Sequence, residues 1–260
     1  MREIRFLIAL WKANLLSAME YRAAFISQVV GMILNNGMYF LFWVVFFNRF
    51  KEVKGWGLND MFLLFGVVAA GFGLAAYLFG NTMSLAEVIA NGGLDYFLSL
   101  PRPVLLHLAA SRSTMSGLGD LVSGIICFLF ADQLSAGSIL RFVLGSLSAM
   151  LIFLSFLILV QSLAFWMGNA TMLSRQAFNA LITFAMYPIT LFDGSAKFLL
   201  FTLIPAALIG AVPAEFVRSF SIEQLALLAG ASAFFLGSAL VVFSIGLRRY
   251  ESGSAIQNQV

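Results

Sequence analysis

Charge is scarce in this chain. Of 260 residues only 10% are charged, against about 25% in a soluble domain. So few polar side chains cannot coat a water-facing surface, and lipid must be the main solvent. Cysteine is nearly absent: Cys127 stands alone and excludes an internal disulfide. Histidine is nearly absent too. With His107 as the single imidazole there is no Cys/His cluster for zinc, and no Gly-x-Ser-x-Gly elbow to make a hydrolase nucleophile. A phosphate-binding Gly-x-x-x-x-Gly-Lys-Ser/Thr loop is also missing. The formal charge of +3 is small and scattered, which argues against nucleic acid as a partner. No small-residue cleavage site follows Arg2, Arg5 and Lys12, so no removable signal peptide is expected.

What the chain has is length of apolar sequence. It is 61% hydrophobic, with a mean hydropathy of +0.96. A helix needs roughly 20 apolar residues to cross the hydrocarbon. Six segments qualify: Ala23–Phe47, Met61–Gly80, Val104–Ala131, Ile139–Met167, Gln176–Phe192 and Gln224–Leu247. The expected fold is an all-α integral membrane protein, a single transmembrane domain over 1–260 with six transmembrane helices. A further run, Phe198–Val212, is short for a span and is interrupted by Pro205. A re-entrant or outer helical segment over 193–222 is expected there, before the last span. No internal repeat is evident. The first 22 residues carry an apolar stripe of Ile4, Leu7, Ile8, Trp11, Leu15, Ala18 and Met19 opposite Arg2, Arg5, Lys12 and Glu20. That pattern, with Leu16 the exception, predicts a helix lying in the membrane interface; the other reading is an overlong start to the first span.

Orientation follows from the basic residues. With the N-terminus inside, the inner loops hold Arg2, Arg5, Lys12, Arg22, Arg102, Arg112, Arg175, Arg248 and Arg249. The outer loops hold Arg49, Lys51, Lys54, Arg141, Lys197 and Arg218, balanced by Glu52, Asp60, Asp132, Asp193, Glu215 and Glu223. Both termini are therefore expected in the cytoplasm, with the chain in the cytoplasmic (inner) membrane.

The segment 81–103 carries the most functional information. Ser84-Leu85-Ala86-Glu87 is a capping-box pattern for a short helix, which Asn91-Gly92-Gly93 should end. A second short helix follows, with Leu94, Phe97 and Leu98 on one face and Asp95 and Ser99 on another, stopped by Pro101. Tyr96 and Arg102 are residue types that dominate contact energies. Spacing alone leaves two readings, a docking helix for a motor protein or a loop resting its apolar face on lipid.

Polar residues within spans are the other candidates, since each is costly in lipid. They are Asn35 and Asn36 in the first span, Asp120 in the third, Gln161 in the fourth and Asn179 in the fifth. They either line a translocation path or hydrogen-bond a neighbouring helix. The small residues of span two (Gly66, Gly71, Gly73, Gly80) and span three (Gly117, Gly119, Gly124) predict close helix approach within the chain, or a dimer seam.

Two motifs carry a resemblance. Gly93-Leu94-Asp95-Tyr96, then Leu98 and Arg102-Pro103, is similar to the inner-loop signature of the ABC-2-type permease family, in the branch reading Gly-x-Leu-Asp…Arg-Pro. Tyr187-Pro188, Phe192, Pro205 and Pro213-Ala214 resemble the fifth span and outer segment of the same family. The Ser99-Leu100-Pro101 step makes the approach to Arg102-Pro103 longer than the family pattern. The resemblance implies the membrane-spanning subunit of an ATP-driven exporter, not itself an enzyme. It implies a second permease subunit, identical or related, and a separate ABC ATPase subunit that binds ATP and Mg; this chain would hold no cofactor. The ATPase would grip a coupling helix comprising Gly93, Leu94, Asp95, Tyr96, Phe97, Leu98 and Arg102, and the inner turn at Ser174-Arg175. An amphiphilic cargo fits the sparse charge. The alternatives are an ion-gradient-driven transporter or channel, which would depend on Asp120, and a membrane scaffold that recruits a cytosolic partner.

Overall fold

A computed structural model describes residues 2–131 and 134–251; Asp132, counted above among the outer acids, lies outside them, as do 252–260. Among the described residues the chain is helical, apart from one isolated bridge, Val53 to Trp56. Helix α1 (Arg2–Glu20) ends at Tyr21, whose angles (φ −101°, ψ 68°) leave the helical region before α2 (Arg22–Arg49). Helix α3 (Leu58–Phe79) runs into a 3₁₀ turn, Gly80–Ser84, and then α4 (Leu85–Ala90) and α5 (Leu94–Leu98). Next come α6 (Val104–Ala110), α7 (Ser116–Phe130), α8 (Ala136–Gln161), α9 (Ala164–Met167) and α10 (Thr171–Ala185). The chain closes with α11 (Gly194–Thr202), α12 (Ala206–Ile209), α13 (Ala211–Arg218) and α14 (Ile222–Leu247).

Among the described residues, four helices are long and apolar enough to cross a membrane. They start at Arg22, Leu58, Ala136 and Ile222, and correspond to the first, second, fourth and sixth expected spans. Counting the bent pair at Gly194–Arg218 as one span raises the number to five. Two expected spans are therefore shorter than their apolar sequence. The third breaks at Ser111–Met115 into α6 and α7. There Asn81 Nδ2 donates to the carbonyl of Leu108 (3.1 Å) and to Ser111 Oγ (2.8 Å), and Thr114 N–H turns to Ala76 O (2.9 Å). Those bonds replace the helical ladder. The fifth stops at Ala185, because Pro188 lacks an N–H and restricts the residue before it. Fifteen helical residues reach about 22 Å, short of the roughly 30 Å hydrocarbon core. At Pro205 the outer segment bends by 62°.

The closest helix contacts in the core are made by small residues. A Cβ on Gly73 would lie 2.5 Å from the carbonyl oxygen of Gly117, and one on Gly117 would lie 2.8 Å from that of Gly73. Gly124 meets the Ala70 nitrogen in the same way, at 2.6 Å. Helices α3 and α7 thus touch backbone to backbone. Gly71 faces Ala149 of α8, and Gly119 faces the carbonyl of Val29 in α2. The glycine faces form an internal seam of the bundle. Helices α3 and α8 are buried along most of their length, whereas α2 and α14 lie at the periphery. Ion pairs mark the far end: Asp60–Arg218 at 3.0 Å and Lys54–Asp193 at 3.6 Å.

Gly73→Leu should overpack the α3–α7 seam, a cost of about 1–3 kcal/mol. Its thermal unfolding midpoint in mild detergent is expected to fall by several degrees. Gly31→Leu, which meets nothing within 4 Å, should leave the midpoint within a degree or so of the parent.

Candidate coupling loop and inner cavity

At the end opposite the Asp60–Arg218 pair, helices α4, α5 and α6 form a small folded unit. Its core is Leu85, Ala86, Ile89, Leu94, Phe97 and Leu108, closed by residues of α8, α9 and α14. Gly92 turns the chain between α4 and α5 with φ +74°, an angle open to glycine. The expected Ser84 cap does not form. Gln161, at the end of α8, does that work from 75 residues away. Its Oε1 accepts the Ala86 N–H (2.9 Å) and its Nε2 donates to Met83 O (2.6 Å). A free N–H at the start of α4 is thus satisfied by tertiary structure.

Helix α5 divides its side chains sharply. Leu94 and Phe97 are buried, whereas Tyr96 is 64% exposed and Leu98 46% exposed. Leu98 therefore does not share the buried face expected for it. In so short a helix only the i and i+3 positions reach the core. Asp95 lies on the outer side, at the first turn of α5. Tyr250, just beyond α14, packs against that turn and against Phe165. Burial first, and then the Asp95 carboxylate, push its phenol up to about 12, so it remains neutral.

Arg102 is part-buried and turns toward α1. Its Nη1 lies 2.6 Å from Glu3 Oε1, and its guanidinium carbon stands 4.5 Å above the Phe6 ring. His107 presents its ring to Phe6 and Phe97 edge-on, at 5.0 and 5.3 Å. Trp11 Nε1 donates to Leu78 O (2.7 Å), and Asn14 Nδ2 to Ala110 O (3.2 Å) and Ser113 Oγ (3.1 Å). Helix α1 is therefore fastened to the loop, to the end of α3 and to the break after α6. Sequence reading missed Asn14 and Asn81. The signal was there in the polar run Ser111-Arg112-Ser113-Thr114, which interrupts an apolar stretch and needs partners.

The intramembrane polar candidates separate into three places. Asn36 Nδ2 donates to Asp120 Oδ1 at 2.8 Å, joining α2 to the first turns of α7. Asp120 is buried, and its second oxygen has no hydrogen-bond partner among the described residues. Asn35 is exposed on the outer face of α2. Gln161 and Asn179 share a cavity of about 310 Å³ between the start of α4, the end of α8 and the start of α10. Met83, Glu87, Ser174 and Arg175 also line it.

Gln161→Leu keeps the volume but strips Ala86 N–H and Met83 C=O of their partners, each a loss of about 1–3 kcal/mol. Hydrogen exchange over residues 83–90 should speed up by about tenfold or more. Gln161→Glu, which still accepts from Ala86, should fall between the two.

No match was found among curated proteins or among solved structures. A family model described as ABC-2 family transporter protein matches residues 33–254, which takes in most of α2 and everything through α14. It leaves out α1, so the contacts of Glu3, Phe6, Trp11 and Asn14 lie outside the matched region. With a match over most of its length and apolar helices of membrane-crossing size, the chain belongs to the ABC-2 family of transporter proteins, as a multi-pass membrane permease.

Proposed function

We propose that this chain is the membrane-spanning subunit of an ATP-driven exporter, with α5 as its coupling helix. The observation that carries this is the division of α5. Leu94 and Phe97 lock it into a core shared with α6, α8, α9 and α14, while Tyr96 and Leu98 stand free on the outside. A motor that grips Tyr96 and Leu98 moves those helices as one body. Asp95 flanks the contact. Gly93 sets the entry to α5, and Arg102 holds α1 against the same unit. Hydrolysis belongs to a separate ABC ATPase, which binds ATP and Mg; a second permease subunit, identical or related, completes the path.

In this reading α6 with α7, and α10 with the Pro188 turn, complete six crossings. Helix α1 lies in the inner interface, and the α11–α13 bend is the outer re-entrant segment. The bundle sits in the cytoplasmic membrane with both termini inside. The cargo is amphiphilic, since the chain offers little charge along its spans.

The test is capture of the tagged chain from gently solubilised membranes, followed by mass spectrometry. A P-loop ATPase should co-purify with the native chain. Its recovery should fall at least tenfold with Tyr96→Ala or Leu98→Asp, the loss expected of a contact hot spot. Both positions are exposed, so the variants should elute as the parent does. An ATPase absent from every preparation would sink the exporter reading. The buried Asn36–Asp120 pair would then become the first place to test ion coupling.

A further inference from the structure

The cavity beside Gln161 has a chemical character that a docking loop does not need. At about 310 Å³ it lies at the lower end of ligand pockets, roughly 300–1,000 Å³. It has room for a headgroup and none for a whole lipid. It lies at the loop end of the bundle, between the 3₁₀ turn and start of α4, the end of α8 and α10. Its lining carries one acid, Glu87 after the 3₁₀ turn, and one base, Arg175 on α10. Neither takes part in an ion pair; among the described residues the pairs are Glu3–Arg102, Lys54–Asp193 and Asp60–Arg218. Two opposite charges thus face one small cavity without closing on each other. Thr171 and Ser174 add hydroxyls, and Phe178 supplies an apolar wall.

Exposed apolar side chains stand beside it: Met172 and Leu173, in the first turn of α10, are 68% and 45% exposed. On α10, Met172, Arg175 and Asn179 lie at i, i+3 and i+7, so they form one stripe, and all three are exposed. Met172 thus places exposed apolar surface next to Arg175 at the edge of the cavity. A polar cleft with one charge of each sign, opening beside apolar surface, is complementary to one class of molecule.

We propose that this cavity binds the headgroup of a zwitterionic amphiphile, with its phosphate on Arg175, its primary ammonium on Glu87 and its chains along the Met172 flank. The arginine fork suits phosphate, and a carboxylate suits an ammonium. As a statement about cargo the proposal rests on the exporter reading above. As a binding site it stands by itself.

The test uses the full chain in mild detergent, titrated with dihexanoyl-phosphatidylethanolamine, dihexanoyl-phosphatidylglycerol, O-phosphoethanolamine or inorganic phosphate. Binding is read from the thermal unfolding midpoint. Phosphatidylethanolamine should bind saturably, at least tenfold tighter than phosphatidylglycerol or phosphate. O-phosphoethanolamine should compete for the same site at least tenfold more weakly, because it lacks chains. Glu87→Gln and Arg175→Gln should each weaken phosphatidylethanolamine at least tenfold, and Arg175→Lys, which keeps the charge without the fork, should fall between Arg175→Gln and the parent. The double exchange Glu87→Arg/Arg175→Glu should restore part of it, which separates lost recognition from lost folding.

Equal binding of phosphatidylglycerol would overturn the zwitterion assignment. Equal binding of O-phosphoethanolamine would overturn the amphiphile assignment. Unchanged affinity in the variants would show lipid bound elsewhere and overturn the site. Variants that bind lipid normally but lose the ATPase would assign the two charges to docking instead. None of these titrations needs ATP or a motor subunit. A chain that captures no ATPase but binds phosphatidylethanolamine here loses the exporter reading and keeps the site.

Discussion

Where a side chain on Gly73 would stand, the carbonyl oxygen of Gly117 already lies within 2.5 Å, and the reverse is nearly as close. The crossing of α3 and α7 therefore admits no side chain at its centre. In lipid no hydrophobic force draws two apolar helices together, so association depends on close packing and on hydrogen bonds. The glycine seam supplies the first, and much of the rest follows from it. With α7 held against α3, Gly119 presses on α2 and Asp120 meets Asn36. With α3 held in place, its last turn and the 3₁₀ turn after it deliver Ala76, Leu78 and Asn81 to partners from the break after α6 and from α1.

The two ends of the bundle are built differently. At the far end, charged pairs join the first turn of α3 to α13, and the α2–α3 connection to the approach to α11. The loop end has the Glu3–Arg102 pair and, beyond it, is tied by amides. Asn14, Asn81 and Gln161 each bridge two segments that are distant in sequence, and each satisfies backbone groups that an interrupted helix leaves open. Unsatisfied backbone is expensive near lipid, so these amides hold irregular chain at a place where regular helix would be the easier solution. The result is a stiff loop that shares a core with several helices and shows a tyrosine and a leucine to the outside. Such an arrangement suits the passing of a push from outside the membrane into the bundle.

Much of this was legible in advance. Apolar run length located α2, α3, α8 and α14, since a helix that spans lipid must be apolar for its whole length. Pro205 announced the 62° bend, and Gly92 the turn before α5. The site was legible in outline only. The loop's place and the buried roles of Leu94 and Phe97 follow from spacing. The exposure of Leu98 does not, because a five-residue helix has no full face to bury. Arg102 reads as a surface contact residue in sequence, and in three dimensions it belongs to α1.

Composition and run length by themselves determined that this is a helical membrane protein with an ordered, short-helix loop after its second span. Those conclusions need only local information: which residues lipid tolerates, and where glycine and proline interrupt a helix. The tertiary structure decided the partners. It placed Gln161 on the start of α4, split the third span around Asn81, and turned the glycine faces inward. It also brought Glu87 and Arg175 to one cavity. The physical reason is the same in each case. A polar side chain or a bare backbone specifies that a partner must exist, and only the packing of distant segments specifies which one.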